Sequence, residues 1–525
     1  MKPSGLLRSV FTFGSWTLAS RVLGLARDVV IGIVFGPSAA TDAFFVAFKI
    51  PNFMRRLFAE GAFAQAFVPV LSEWKSQCSA GETRQLIARV SGSLSLVLMA
   101  LTVLGVIGAP LVVSVFAPGF ANDPTRYALA VEMLRWTFPY LLLISLTACA
   151  GAVLNAWGSF GPPAFAPVLL NLCMITAAWW LAPRMEPGIM ALAIAVLVAG
   201  VLQLLLQLPF LRRRAVLVWP RPGFGHPGVS RILRLMGPTL FGTSVQQVNL
   251  LVDTILASFL ATGSISWLYW SDRLVEFPLG IFGVAIGTVI LPRLSGQHAE
   301  GSAAEFSATL DWALRLTVVI IVPATVGLVA LAAPMISTLF QYGAFGATDV
   351  MAASMSLMTY SLGLMGFVLV KVLTPAFFSR QDTGTPVRCA ATAMVVNMAL
   401  STSLVWLLLH SGIAHAGLAF ATAAAATENA LMLYISLRRS GRYLPRPGWR
   451  RLGRIVGLGT LGMAAVLYWP ASHPGLWLDG GGLHRVLYLT AAIGAGAAVY
   501  GGILLGCGLR PRELREPVPD AAEHG

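Results

Sequence analysis

SGSLSLVLMALTVLGVIGAPLVVSVF, residues 91–116, runs for 26 positions without a charged side chain. A bilayer core takes about 20 apolar residues of helix, so this stretch reads as a membrane span with length to spare. The rest of the chain is alike. Of 525 residues, 57% are hydrophobic and 11% charged, and the mean hydropathy is +0.76. A soluble protein carries about 25% charged residues. A water-soluble enzyme is therefore excluded. So is a single anchor with a soluble head, because the apolar runs do not stop. A membrane β-barrel would show alternating segments of about 10 residues, whereas these runs are long and continuous. The chain reads as an all-α polytopic membrane protein of about 14 transmembrane helices, at ~20 residues per span. Breaks fall at Ala117-Pro118-Gly119, Gly161-Pro162-Pro163 and Arg221-Pro222-Gly223.

Arginine and lysine divide unevenly between alternate loops. One side holds Arg212, Arg213, Arg214, then Arg438, Arg439, Arg442, Arg446 and Arg450; the other holds little beyond Arg126, Arg184 and Arg485. Cytoplasmic loops carry the excess, so both termini are expected in the cytoplasm, which requires an even number of spans. The net charge of +14 then belongs to membrane topology and does not point to nucleic acid. Arg21, Arg27 and Asp28 interrupt the first apolar stretch, so no cleavable signal peptide is expected. Five cysteines without a CxxC and seven histidines without ligand spacing predict neither disulfide nor metal site.

An internal repeat recurs at an offset of about 225 positions. Ala109-Pro110 corresponds to Ala333-Pro334, and Val68-Pro69-Val70-Leu71-Ser72 to Leu291-Pro292-Arg293-Leu294-Ser295. Asn171 corresponds to Asn397, and Asp28 to Asp253. The unit is six helices, an even number, so the copies share one orientation. Parallel-repeat transporters place the substrate site between such halves. The reading divides the chain into an N-terminal six-helix lobe (1–222), a C-terminal six-helix lobe (223–445), two further transmembrane helices (446–509) and a cytoplasmic tail (510–525). In the last two helices Gly453 with Gly457, and Gly502 with Gly506, have GxxxG spacing and are expected to let helices approach.

Charged residues inside the spans carry the chemistry. Arg21, Arg27 and Asp28 lie on the first helix; Asp42, Lys49, Arg55, Arg56 and Glu60 on the second; Asp253 on the seventh; Asp272, Arg273 and Glu276 on the eighth. At roughly 3 kcal/mol per mid-membrane charge, a dozen facing lipid would exceed the stability of a protein. They must pair or face a watery cavity. Arg273 and Glu276, three apart, can touch, and Arg56 can snorkel to the interface. Structural ion pairing remains one reading of Asp28, Glu60 and Asp272. The cations outnumber the acids, however, and the guanidinium fork suits phosphate. An arginine-rich cavity is expected to bind an anion, a phosphate or diphosphate above all. No P-loop and no catalytic constellation occurs, so the chain reads as a transporter and not an enzyme.

Ser20-Arg21-Val22-Leu23-Gly24-Leu25-Ala26-Arg27-Asp28, Thr41-Asp42-Ala43-Phe44-Phe45, Pro51-Asn52 and Arg55-Arg56-Leu57-Phe58-Ala59-Glu60-Gly61 resemble the MurJ (MviN) lipid II flippases. So do Ser266-Trp267, Asp272-Arg273-Leu274 with Glu276-Phe277-Pro278, and Ser379-Arg380-Gln381-Asp382. The resemblance implies the MOP exporter fold, with two lobes around a central cavity. It implies a multi-pass protein of the bacterial cytoplasmic (inner) membrane. It also implies flipping of lipid II, the undecaprenyl-diphosphate disaccharide-pentapeptide, to the periplasmic leaflet for peptidoglycan synthesis. Cell-wall synthesis enzymes become candidate partners, beside membrane lipids. In the family the last two helices form a groove for the lipid tail. Matching places the family's essential arginines on Arg21, Arg27, Arg55 and Arg273, with Asp42, Asn52, Ser266 and Glu276 as further functional positions. Arg27, Arg55 and Arg273 are then expected to hold the diphosphate and Asp42 to act as a periplasmic gate. The alternatives are a cation-coupled multidrug exporter or another lipid-linked oligosaccharide exporter of the same superfamily, or a non-transporting scaffold. The first should favour acids and aromatics in its cavity, and the last would not need intramembrane charges. No cofactor is expected, but a monovalent cation or proton is. Asp253 has no Arg or Lys within a turn of sequence. Asp253 reads either as part of an ion site, with Asp382, Thr383 or Asn397 as further oxygen donors, or as a protonated structural Asp bonded to a neighbouring helix.

Overall fold

The computed structural model describes residues 3–56 and 63–509; Glu60 and the tail 510–525 lie outside the described residues. The described residues are helical, without strands. Eleven segments among them are long and apolar enough to cross a membrane. The chain divides into two compact units, Met1–Ser266 and Trp267–Gly525.

The first unit contains α1 (Pro3–Phe35), α2 (Ala39–Arg55), α3 (Ala64–Gln77), α4 (Ala80–Ile107), α5 (Ala109–Phe116), α6 (Pro124–Thr137), α7 (Tyr140–Ala156), α8 (Gly161–Thr176), α9 (Met190–Arg213) and α10 (Pro227–Ser258). Helix α1 packs on α8, α2 on α6, and α9 on both α7 and α8. Phe67, Leu86, Val153 and Leu154 form part of its core. The second unit takes α11 (Ser264–Pro278) beyond its first turn, then α12 (Val284–Ala299), α13 (Ala303–Ala330), α14 (Ala332–Phe340), α15 (Ala347–Leu362), α16 (Leu364–Phe378), α17 (Gly384–Leu408), α18 (Ala414–Arg439), α19 (Trp449–Ala471), α20 (Gly475–Leu478) and α21 (Gly482–Gly506). Here α18 packs against α15, α16 and α17, while α19 bridges α13 and α21.

The repeat is visible in the helix breaks. Helices α4 and α13 each span 28 residues and each hands over to a short helix, α5 or α14. Pro110 and Pro334 stand in the first turns of those short helices, where a missing N–H costs nothing. The compact units and the sequence repeat divide the chain at different places, because α10 opens the second repeat copy yet groups with the first unit.

The GxxxG expectation is corrected. Side chains added at Gly453, Gly457, Gly502 and Gly506 would meet open space. Helices α19 and α21 instead approach at Gly459, Gly462 and Gly496, where a Cβ would press on Leu504, Ile503 and Met463. On α19 the touching glycines lie about 120–180° around the helix from the GxxxG pair.

Candidate functional site

The arginine-bearing end of α2 is shaped by Pro51. A proline inside a helix cannot bond to the carbonyl four residues back, which frees the carbonyl of Ala47. The hydroxyl of Thr137, fully buried on α6, donates to that oxygen at 2.9 Å. Beyond the break, Asn52 donates to the carbonyl of Phe48 (2.9 Å) and accepts from Nε of Arg55 at 3.3 Å. Asn52 thus steers Arg55, and both are half-buried.

On α1, Arg27 is 6% exposed and Asp28 1%. Nε and Nη2 of Arg27 donate to Oδ1 of Asp28 at 2.9 and 2.6 Å, and Nη1 donates to Oδ1 of Asn171 on α8 at 3.1 Å. The amide of Asn171 donates in turn to the carbonyl of Ser20. Arg27 can give its whole fork to a phosphate only by leaving Asp28. Asn171 stood out in sequence as one half of a repeat pair, but not as a partner of Arg27. Arg21 is exposed on the same helix.

Asp42 is completely buried in the first turn of α2 and accepts four hydrogen bonds. Its Oδ1 takes Ser266 N (2.9 Å) and Ser266 Oγ (2.6 Å); its Oδ2 takes Gly263 N (2.8 Å) and Arg126 Nη2 (3.0 Å). Arg126 is buried too, with its guanidinium 4.1 Å from the centre of the Phe120 ring. The lock ties α2 to the turn that enters α11. Sequence named Asp42 as a gate but did not identify its cation. The usable signal was that Arg126 is one of very few cations on its side of the membrane.

In the second unit, Nη1 of Arg273 meets Oε2 of Glu276 at 2.6 Å, the pair expected from its spacing. Both side chains remain partly open, at 33% and 46% exposure. Lys371, half-way along α16 and exposed, is a further intramembrane cation that the sequence reading passed over.

The candidate ion site changes. Asp253 is half-buried in α10 and does have an interaction partner, so the argument from an isolated carboxylate loses its premise. Asp382 caps α17: its two oxygens take the backbone N–H of Thr385 (3.0 Å) and its hydroxyl (2.8 Å). Those bonds, the backbone one first, hold its carboxyl below the usual carboxylate range. Asn397 is buried on the same helix, 13 residues beyond its first residue Gly384. At 1.5 Å per residue that is about 20 Å, so Asp382 and Thr383 cannot share one ion with Asn397. Among the described residues no group of three or more His, Cys, Asp or Glu is placed to hold a metal.

A third buried carboxylate, Asp311 on α13, was not singled out by sequence. It accepts from Arg315 Nε (2.6 Å), Tyr443 Oη (2.7 Å), Trp449 Nε1 (2.8 Å) and Arg446 N (3.3 Å). Arg315 also donates to the carbonyls of Arg446 and Pro447. The α18–α19 linker is thereby fastened to α13. Burial, reinforced by the adjoining Asp311, pushes the Tyr443 phenol up. Gly448 in this linker has φ +104°, a left-handed conformation that favours glycine.

A family model described as "Lipid II flippase MurJ" matches residues 31–485. A "Probable lipid II flippase MurJ" of Vibrio cholerae is 46% identical over 518 residues, 97% of this chain and 98% of the relative. The "Lipid II flippase MurJ" of Burkholderia cenocepacia is 43% identical over 505 residues, covering 95% and 97%. Among solved structures, a lipid II flippase MurJ in an inward closed conformation superposes with TM-score 0.77 at 27% identity, covering 94% of this chain and 99% of that one. An inward-facing MATE family multidrug transporter of the MOP superfamily gives TM-score 0.63 at 14% identity, covering 82% and 98%, a likeness of fold alone.

Proposed function

The chain belongs to the MurJ family of lipid II flippases, multi-pass transporters of the inner membrane, and from that premise we propose how its residues carry the substrate. Lipid II has a diphosphate between its polyprenyl tail and its sugar–peptide head. The tail can stay in lipid while the head crosses. Arg27, Arg55 and Arg273 receive the diphosphate, with Arg21 adding to the same field and Asn52 and Glu276 orienting Arg55 and Arg273. The observation that carries this reading is that each of the three guanidiniums has an acidic or amide side chain in hydrogen-bond reach to steer it: Asp28 and Asn171 for Arg27, Asn52 for Arg55 and Glu276 for Arg273. Arg27 exchanges Asp28 for phosphate, and Arg273 exchanges Glu276.

Asp42 with Ser266 is the periplasmic gate, and Arg126 supplies its cation. Both termini and the arginine-rich linkers lie on the cytoplasmic side, as the charge asymmetry requires. Cell-wall synthesis enzymes remain candidate partners. Cation-coupled multidrug export is not favoured, because the MATE likeness extends only to the fold.

The test is complementation of a depleted strain together with a labelled lipid II flipping assay. Arg27→Ala, Arg55→Ala and Arg273→Ala should each abolish flipping while the protein still reaches the membrane. Lysine at the same positions should rescue in part, being a point charge without the fork. Full activity in all three alanine variants would falsify the diphosphate assignment. For coupling, Asp253 is the carboxylate we retain. Asp253→Asn should remove the dependence of flipping on sodium or pH while substrate binding persists; an unchanged ion response would make Asp253 structural.

A further inference from the structure

Beside the fastened α18–α19 linker is a cavity of about 680 Å³, within the range of about 300–1,000 Å³ that takes small ligands. Leu314 and Val318 of α13, Leu369 of α16 and Tyr434 of α18 line it, and Arg446 and Arg450 complete the lining from the linker and the first turn of α19. Tyr443 and Trp449 also line it, but their polar atoms are taken by Asp311. What they add to the wall is ring carbon.

The charge around this cavity has one sign. From Asn429 to Leu478 the sequence has seven arginines and no Asp or Glu. Arg446 and Arg450 are exposed, and only the backbone N–H of Arg446 serves Asp311. Because Asp311 and Arg315 fix the linker backbone, the two guanidiniums are presented from a rigid support. Apolar walls below fixed cations, at the end of a membrane helix, match an acyl chain joined to an anionic phosphate.

We propose that this cavity binds a membrane phospholipid with an anionic head, one acyl chain against Leu314, Val318 and Leu369 and the phosphate on Arg446 and Arg450. The choice of the cytoplasmic leaflet rests on the orientation proposed above; the site itself does not. A free phosphate would leave the apolar walls unused, which is why the occupant is a lipid.

The experiment is native mass spectrometry of the full chain in detergent, counting bound phosphatidylglycerol, phosphatidylcholine of the same chains, and glycerol 3-phosphate. Phosphatidylglycerol should bind about tenfold better than phosphatidylcholine. The double variant Arg446→Gln/Arg450→Gln should bring it down to the phosphatidylcholine level. Leu369→Trp, which fills the cavity and keeps the charges, should lower the binding of both lipids. The double variant Arg438→Gln/Arg439→Gln removes as much charge outside the cavity lining and should leave binding unchanged. Melting temperatures identify any variant that misfolds, and the remaining variants still decide the matter. Unchanged phosphatidylglycerol binding in both cavity variants overturns the site. An equal loss in the Arg438/Arg439 variant reduces it to general surface charge and overturns it as well. Glycerol 3-phosphate binding as tightly as the lipid overturns the lipid assignment. So does complete displacement by equimolar undecaprenyl diphosphate, which would give the cavity to the substrate. Because the readout is bound lipid and not flipping, failure here is distinct from failure of the proposed transport site.

Discussion

Asp42 and Asp311 are two buried carboxylates with the same number of hydrogen bonds and donors of different kinds. Each accepts four hydrogen bonds, one of them from an arginine on a helix. Three of Asp42's four bonds come from Gly263 and Ser266, in and just after the turn into α11, and their donors can turn to water once exposed. Asp311 takes two of its donors from the bulky rings of Tyr443 and Trp449, which are packed around it and have apolar bodies to keep from water. Equal bonding therefore does not mean equal permanence. The first arrangement can open at modest cost; the second cannot open without exposing aromatic surface.

Covalent locking gives the sharpest contrast. Cysteines at Asp42 and Ser266, whose side chains meet at 2.6 Å, should form a cross-link that abolishes flipping until it is reduced. Cysteines at Ser307 and Leu444, which bond to one another at the Asp311 weld, should leave flipping unchanged when cross-linked. Activity in the first, or its loss in the second, breaks the distinction between gate and weld.

Removing charge should separate the two by stability. Asp311→Ala leaves Tyr443 and Trp449 without their acceptor and Arg315 with only the carbonyls of Arg446 and Pro447. Each buried donor left unsatisfied costs about 1–3 kcal/mol, and the melting temperature in detergent should fall accordingly. If Asp42 opens as the proposed gate, Arg126→Met should cost less in melting temperature, because water then reaches Asp42. Its signature is instead faster labelling of a cysteine placed at Ser264. Equal thermal losses with no change in labelling would place Asp42 among the welds.

The smallest effect belongs to Asp382. Its carboxyl is held low in the folded protein, so its contribution is present above the usual carboxylate range and lost as pH falls through the depressed folded value. Asp382→Ala should cost about 1 kcal/mol near neutral pH, as for a lost helix cap, and progressively less in acid. A cost independent of pH would show that the ionised carboxylate is not what caps α17.

Much of this was legible in the chain itself. Uninterrupted apolar runs required helices, and the paired Ala-Pro breaks exposed the repeat. The Arg273–Glu276 contact followed from a spacing of three. What escaped depends on contacts that sequence distance hides. Arg126 lies 84 positions from Asp42, and Tyr443 lies 132 from Asp311. Thr137 reads as an ordinary polar residue until Pro51 frees a carbonyl 90 positions before it. The GxxxG pairs misled because spacing fixes a helix face without saying which neighbour, if any, covers it. Asp253 misled in a related way: proximity in sequence was used as a measure of proximity in space.

The connector between the two repeat copies is laid onto α4. The N–H of Arg221 donates to the carbonyl of Ala88, Gly223 N donates to Ser93 Oγ, and Arg89 reaches the carbonyl of Pro222. Gly92 makes room for it, since a Cβ there would stand 2.2 Å from the Arg221 carbonyl carbon. Nicking or splicing at 219–224 would therefore remove a docked strap from the first copy, so a split protein made from two separately expressed halves should keep the break outside that segment.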